Sequence, residues 1–567
     1  MSASPLMSLG IKAMTANYAA LQTTGHNIAN ANVAGYSRQQ VELNTAQGQF
    51  SGAGFFGKGV NVQTITRSHN AFLTSEAAGA VSLAAMDDAR LTQLSRLESV
   101  FKTGEAGIGH AVTQFIGSMG LLADQPADLA TRQVVLARAA ELSSRFNEAG
   151  TALDDIQNGV TSEVRSSVAA VNSLAQSIAQ ANQKIAGLRG LGQPANDLLD
   201  ERDRLISELS QHVKVSRIEA DDGTVGLFIG GGQRLVLGSE AGQLAVQPDP
   251  TDPRRVAVGI QAGNRVNPMD GTTLGGGLSG LLRFQNIDLV EGRNLVGRLA
   301  ATVGGAVNQQ QQRGLNLLGT DPTPALFDLG QPQAIGNRNN ARDAGGVRGS
   351  VHVSFGSDPA ALRASEYDLR EDPAVPGNWK LTRLVGGELS QDPADGLSFA
   401  GTTASFQGIN IDFTVPTVPV PPQPGDKFLL QTVGRAANDI KTRLRDPRDL
   451  AAAASQVATT AAGNSGTAAV SSMTVTDSPL PYPGATTRFT FANNPAYDPA
   501  VDPQLFPTDP RTQPVAYTWE VLDSTQNVLA SDATPRALFP GQPLPQGGAD
   551  INGFTLTLSG VPRPGDR

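Results

Sequence analysis

Between residues 7 and 28 the apolar positions recur at spacings of four and three: Met7, Ile11, Met14, Tyr18, Leu21, Gly25 and Ile28. That is the a/d period of a helix made to pack along other helices. The remaining positions are mostly Ala, Thr, Asn and Gln, so one narrow stripe is apolar, and such a helix is marginal in water without a partner face. The period returns downstream. Leu83, Met86, Leu94, Leu97 and Phe101 give a stripe that stops at Gly104, Gly107 and Gly109, and a second helix is expected over 108–122, ending before Asp124-Gln125-Pro126. The longest pattern runs Val135, Ala139, Leu142, Phe146, Ala149, Leu153, Ile156, Val160 and, after Val164, through Val168, Val171, Ala175 and Ile178 to Ile185. At a rise of 1.5 Å per residue it predicts a rod of about 75 Å, shorter if Asn158-Gly159 breaks it. Val135, Leu142, Phe146, Leu153 and Ile156 are its expected core.

Elsewhere the texture is that of strands. Val60, Val62 and Thr64 alternate after Gly57-Lys58-Gly59. These glycines precede a strand, whereas a phosphate loop follows one. Short apolar runs at 227–229, 235–237 and 256–258 predict a small β insertion, with Gly230-Gly231-Gly232 as a hairpin loop. Leu278 opens another helix running to about Leu315, which is expected to pack back on the rod. From about Thr320 the chain is rich in Pro, Asp, Gly and Thr, with alternating strands at 366–369, 379–382 and 409–413 and again at 488–491, 517–521 and 554–558; a helix is expected between them over 438–457.

These two β blocks read as copies. One ends Gly408-Ile409-Asn410 … Pro424-Gly425-Asp426-Lys427-Phe428, the other Asp550-Ile551-Asn552-Gly553 … Pro564-Gly565-Asp566-Arg567. The second copy stops at the counterpart of Lys427, which reads as a C-terminal truncation. The fold class expected is therefore multidomain α+β, a long helical-bundle rod of terminal and coiled-coil-like helices with inserted outer β domains. Its segments are 1–70 (axial helix and extended segment), 71–212 (helical rod), 213–277 (β insertion), 278–319 (returning helix), 320–436 (first β repeat), 437–465 (linking helix) and 466–567 (second β repeat).

The apolar seam leads into Asn27-Ile28-Ala29-Asn30-Ala31-Asn32-Val33-Ala34-Gly35-Tyr36-Ser37-Arg38. Asn and Gly tolerate a left-handed backbone, so this reads as a helix end turning into an extended segment. The passage resembles the N-terminal motif of the flagellar axial proteins, in which Asn-Ile-Ala-Asn is followed by Thr-Pro-Gly-Tyr; Val33 and Ala34 stand where Thr and Pro are usual. With Asn27, Ile28, Ala29, Asn30, Gly35, Tyr36, Ser37 and Arg38 matching, it is most similar to the hook-associated protein 1 (FlgK) family. Two further stretches agree: the Gly-x-Gly-Val strand with Arg67 and Phe72-Leu73, and Pro194-Ala195-Asn196-Asp197-Leu198-Leu199-Asp200-Glu201-Arg202-Asp203.

Composition narrows the chemistry. The chain has 567 residues, more than one core supports, and a net charge of −9 without a basic stripe, which argues against a nucleic-acid partner. Cysteine is absent, excluding disulfides and thiolate sites. The start Met1-Ser-Ala-Ser-Pro has no basic n-region or apolar core of a cleaved signal, and no run is apolar enough for a membrane span. The carboxylates at 197–203 invite an acid/base reading, but Asp200 with Arg204 and Asp203 with Ser207 are i,i+4 neighbours, expected on a solvated helix face. His26, His69, His110, His212 and His352 show no ligand spacing, and Gly277-Leu278-Ser279-Gly280 is one residue too tight for a nucleophile elbow. No enzyme activity, cofactor or metal is expected.

The resemblance implies a structural assembly protein at the hook–filament junction, with Met7, Ile11, Met14, Tyr18, Leu21 and Ile28 as its assembly seam. It implies as partners the hook protein, a second junction protein (hook-associated protein 3), further copies in a ring, and an export chaperone binding a C-terminal helix beyond Arg567. It also implies an extracellular place in the bacterial flagellum, reached by the flagellar type III pathway. The competing reading is an extracellular binding module carried by the β repeats on a helical stalk.

Overall fold

The computed structural model describes residues 5–51, 54–189, 195–320, 324–372, 374–414, 418, 420–476, 480–545 and 551–567. Pro194 of the third motif lies outside the described residues. The fold is α+β, in two compact units: Met1–Lys102, Glu148–Arg298 and Gln331–Asn438 form one; Thr103–Asn147, Leu299–Gly330 and Asp439–Arg567 form the other.

In the first unit, helix α1 (Pro5–Ala29) is followed by an antiparallel pair, β1 (Gln39–Thr45) and β2 (Val60–Arg67). Helix α2 (Ala71–Val100) starts where the Asn70 side chain accepts from the Phe72 and Leu73 N–H groups, satisfying two otherwise orphaned donors. Its buried face keeps Leu97 of the predicted stripe but departs from the rest, since Leu83 and Phe101 are exposed while Ser82 and Gln93 are buried. The reason is a close approach of backbones. Helix α2 packs on a short helix at Gly276–Arg283, where a Cβ on Gly280 would lie 2.2 Å from the Met86 carbonyl oxygen. Only glycine fits there.

Helix α3 (Ile108–Asp124) precedes α4 (Leu129–Arg189), whose 61 residues span ~90 Å by helical rise. Asn158 and Gly159 do not break it: Asn158 is exposed, and a Cβ at Gly159 would meet nothing within 4 Å. Val135, Leu142, Phe146 and Leu153 are buried and Ile156 is half-buried. After α5 (Asn196–His212) come two small sheets, β3 (Ser216–Glu219), β4 (Val225–Ile229), β5 (Gln233–Leu237) and β6 (Glu240–Ala241), then β7 (Leu244–Pro248), β8 (Val256–Ala262) and β9 (Arg265–Pro268). The Gly230–232 loop joins β4 to β5 as a hairpin. Helix α6 is the Gly276–Arg283 segment; a wide π-type turn at Phe284–Asp288 leads to α7 (Leu289–Arg313). Arg293 of α7 bonds the Asp154 carboxylate on α4, and Gln285 accepts from Gln157 at 3.1 Å. The returning helix does pack on the rod here.

The helix expected over 438–457 does not form. Ala436–Asp439 is a single α-helical turn, followed by two-residue strands at Lys441–Thr442 and Ala453–Ala454 with a 3-10 turn at Pro447–Asp449 between them. Buried Arg132 collects the carbonyls of Pro126, Pro447 and Leu450, and Ala452 N–H donates to Leu315 O at 3.1 Å. Those tertiary bonds hold the backbone extended against its alanine-rich helix propensity.

The two β blocks repeat one topology. The first contains β10 (Gln333–Gly336), β11 (His352–Phe355), β12 (Glu366–Glu371), β13 (Asn378–Val385), β14 (Gly396–Ala400), β15 (Thr403–Phe406), β16 (Ile409–Asp412) and β17 (Lys427–Gln431), in sheets ordered β10-β17-β12-β13-β14 and β11-β16-β15. The second contains β18 (Ala469–Val475), β19 (Thr486–Asn493), β20 (Val515–Leu522), β21 (Val528–Ala537), β22 (Pro543–Leu544) and β23 (Phe554–Ser559), ordered β19-β20-β21 and β18-β23-β22. Gln407 and Asn552, both non-glycine residues with positive φ, sit before a positive-φ glycine at the same place in each copy.

Candidate functional site

The motif at 27–38 folds around one side chain. The Asn27 amide bonds both main-chain groups of Gln39, accepting from its N–H at 2.8 Å and donating to its carbonyl at 2.9 Å. The Tyr36 hydroxyl donates to the same Asn27 oxygen at 2.7 Å, and its ring meets His26 edge-on. Burial, reinforced by Asp197 and Asp200, raises the Tyr36 pKa. Asn30 donates to the His26 carbonyl, closing α1, and two successive turns, Val33 N–H to Asn30 O and Tyr36 N–H to Val33 O, form without the usual proline. Ile28, Ala29, Gly35 and Arg38 are exposed.

This hairpin-like segment is docked on α5. Gly35, at φ +83°, lies where a Cβ would come 3.2 Å from Cβ of Arg204. The Asp200 carboxylate accepts from Ser37 N–H at 3.0 Å and from Arg67 at 2.9 Å, and Asp203 accepts from Arg67 at 2.6 Å and Arg217 at 2.7 Å. Gln39 donates to Asp197, and Asn196 donates to the Ile65 carbonyl at 2.7 Å. The expected i,i+4 pairing of Asp200 with Arg204 is therefore corrected. Arg204 pairs with Glu201 and Glu208 on the exposed side, while Asp197, Asp200 and Asp203 form an i,i+3 stripe turned toward the N-terminal segment. Arg202 points inward, donating to the Gly223 carbonyl and to Asn182; burial and then the Arg217 charge lower its pKa to about 10.

With its end anchored, α1 has two unlike faces. Lys12, Ala16, Ala20, Thr23 and Asn27 lie on the side that packs on β1 and β2, with Ala16 and Thr23 buried. The opposite side carries the seam. Met7 is 64% exposed, Ile11 59%, Met14 74%, Tyr18 68%, Leu21 73% and Ile28 72%. Six large apolar side chains in one line facing water are an unsatisfied helix-packing surface.

Among the described residues no group of three or more His, Cys, Asp or Glu could hold a metal, and no helix is long and apolar enough to cross a membrane. Flagellar hook-associated protein 1 of Salmonella typhimurium (strain LT2) is 31% identical over 454 residues, covering 79% of this chain and 79% of that protein. The chain belongs to the flagellar hook-associated protein 1 family. The Escherichia coli K12 relative is 30% identical over 461 residues, at 80% of each chain. Residues 94–327 match the family's FlgK helical domain. The solved structure of the flagellar hook junction protein FlgK from Burkholderia pseudomallei is similar at a TM-score of 0.68 and 25% identity, over 87% of this chain and 86% of that one.

Within this family fold, the three sequence motifs converge on one cluster: Asn27 to Ser37, Arg67, and Asn196 to Asp203. Arg217 is the member that the sequence reading missed. Its one sequence signal is its place at the start of the β insertion, five residues beyond the α5 terminus, where a basic side chain reaches back to Asp203.

Proposed function

We propose that this chain is a structural subunit of the bacterial flagellum that forms the junction between hook and filament, and that the α1 seam is its assembly surface. The observation that carries the reading is the two-faced α1, locked in orientation by the Asn27 and Asp200 clusters while Met7, Ile11, Met14, Tyr18, Leu21 and Ile28 face solvent. Burying such a stripe against neighbouring helices supplies association energy of about 25 cal/mol per Å² of apolar surface. The neighbours proposed are further copies in a ring, the hook protein and hook-associated protein 3. The subunit acts outside the cell, delivered by the flagellar type III pathway with the help of an export chaperone. The buried Val135, Leu142, Phe146 and Leu153 keep the rod stiff, and the β repeats form the outer surface.

Electron microscopy of cells lacking the gene tests this reading. Hooks should be present without attached filaments, and the gene supplied in trans should restore them. Attached filaments of normal number in the deletion strain would contradict it.

A further inference from the structure

The first unit carries a cleft of about 480 Å³ lined by the start of α7, by β12 and β13, and by the turn after β7. Its charged lining is four carboxylates, Asp249, Glu291, Glu366 and Asp368, against two guanidiniums, Arg255 and Arg383. Both guanidiniums are already engaged, Arg255 with Glu366 at 2.6 Å and Arg383 with Asp395. Asp368 meets Arg370 of its own strand at 2.9 Å. The Asp249 carboxylate accepts only main-chain N–H groups, from Thr251 at 2.7 Å and Asp252 at 3.1 Å. Glu291 is exposed and in no ion pair among the described residues. Half-buried Val290 and, one turn beyond Glu291, Leu295 at 58% exposure add an apolar wall. The cleft is therefore anionic with an apolar side.

The same unit presents the opposite character elsewhere. Residues 338–348 form a small hairpin, closed by a bridge between Arg342 and Arg348, with Gly346 N–H donating to Asp343 O at 3.0 Å and Val347 N–H to the Asp343 carboxylate at 2.7 Å. Arg338, Arg342 and Arg348 outnumber that one carboxylate, and none of the three is in an ion pair among the described residues. Arg342 and Arg348 donate to the Gly346 and Arg338 carbonyls, which keeps the hairpin in shape. Beside them Val347 is 52% exposed. The base is pinned by Arg338 N–H on Pro250 O and by the Asn340 amide on Lys427 O at 2.9 Å, and no residue of 338–348 lines the cleft of its own copy.

The chain has a net charge of −9, so two copies repel except where opposite charges meet. We propose that the 338–348 hairpin of one copy seats in the cleft of a second copy, with Arg338 and Arg342 facing Asp249 and Glu291 and with Val347 against Val290 and Leu295. The hairpin offers the cations and the apolar tip that the cleft lacks, which makes a second copy its fitting occupant. This contact rests on the reading that copies assemble on one another. It adds to the α1 seam a surface where charge fixes the register between neighbours.

The chain has no cysteine, so single Cys variants report contacts cleanly. Val347→Cys and Leu295→Cys, both at exposed positions, are purified separately, mixed and mildly oxidised. The mixed disulfide between 347 and 295 should exceed each same-variant dimer by at least about fivefold in mass spectrometry. Arg342→Glu in the first chain should remove that excess, and Glu291→Arg in the second should restore it. The excess should persist when both chains also carry Leu21→Asp and Ile28→Asp, so that loss of the seam and loss of this contact are read separately. Disulfides in chance proportion, a predominance of the 347–347 product, or an excess indifferent to charge reversal overturns the proposal.

Discussion

Arg67 and Asp200, 133 positions apart, meet at 2.9 Å, and the other oxygen of the same carboxylate accepts the Ser37 N–H at 3.0 Å. One side chain thereby ties the strand after the axial helix and the segment before it to α5. The side chains of this pair are 10% and 9% exposed, so water screens their attraction little.

Replacing Asp200 with Ala removes both bonds and leaves Arg67 to Asp203 alone. The loss should be about 1–3 kcal/mol in urea unfolding. Limited proteolysis should cut faster between 30 and 38. Unchanged cleavage there would show that Asn27 and Gly35 suffice to dock the segment.

Gly280 and Gly277 give a matched pair of substitutions on one helix. A Cβ at 280 would meet the Met86 carbonyl at 2.2 Å, whereas at 277 the nearest atom is 3.4 Å away. Gly280→Ala should destabilise the first unit by roughly 1–3 kcal/mol, and Gly277→Ala should be near neutral, as read by thermal melting.

The periodic elements were legible from the sequence, and their partners were not. Helix α4 follows from the Val135-to-Ile185 spacing, and the β repeats follow from their shared Pro-Gly-Asp and Gly-Ile-Asn or Ile-Asn-Gly stretches. The buried face of α2 escaped because Ser82, Ala85, Ala89, Gly277 and Gly280 pack by closeness of backbone, which a search for large apolar residues misses. Asp200 and Asp203 were assigned to local helix pairs because nothing in sequence links them to Arg67 or Arg217. The helix expected over 438–457 fails because Arg132, distant in sequence, holds the Pro447 and Leu450 carbonyls.

His69 lies beside the same cluster, with Nδ1 3.9 Å from Asp203. Burial, then the Arg67 charge, lower its pKa, against the opposing pull of Asp203. A depressed folded pKa means that the unfolded chain binds the proton first, so this stabilisation is full above about 6.5 and is lost as pH falls toward the folded value. Chemical unfolding should show stability falling on acidification below that range, with a shallower fall in His69→Gln. Identical slopes would remove His69 from the account.

Phe146 is fully buried on α4. Truncation to Ala should cost about 3–5 kcal/mol, measured by denaturant unfolding. A loss below 1 kcal/mol would place the rod's stability elsewhere.

The most direct measurement of the assembly claim uses Leu21→Asp together with Ile28→Asp, at positions 73% and 72% exposed. In the isolated chain each change should shift stability by less than about 0.5 kcal/mol, because neither side chain is packed. In the flagellum each would bury a carboxylate between helices, at a cost of several kcal/mol. Cells carrying the double variant, counted by electron microscopy, should make and export a folded subunit yet bear hooks without filaments. Filaments of normal number and attachment in those cells would contradict the seam as the surface on which this protein assembles.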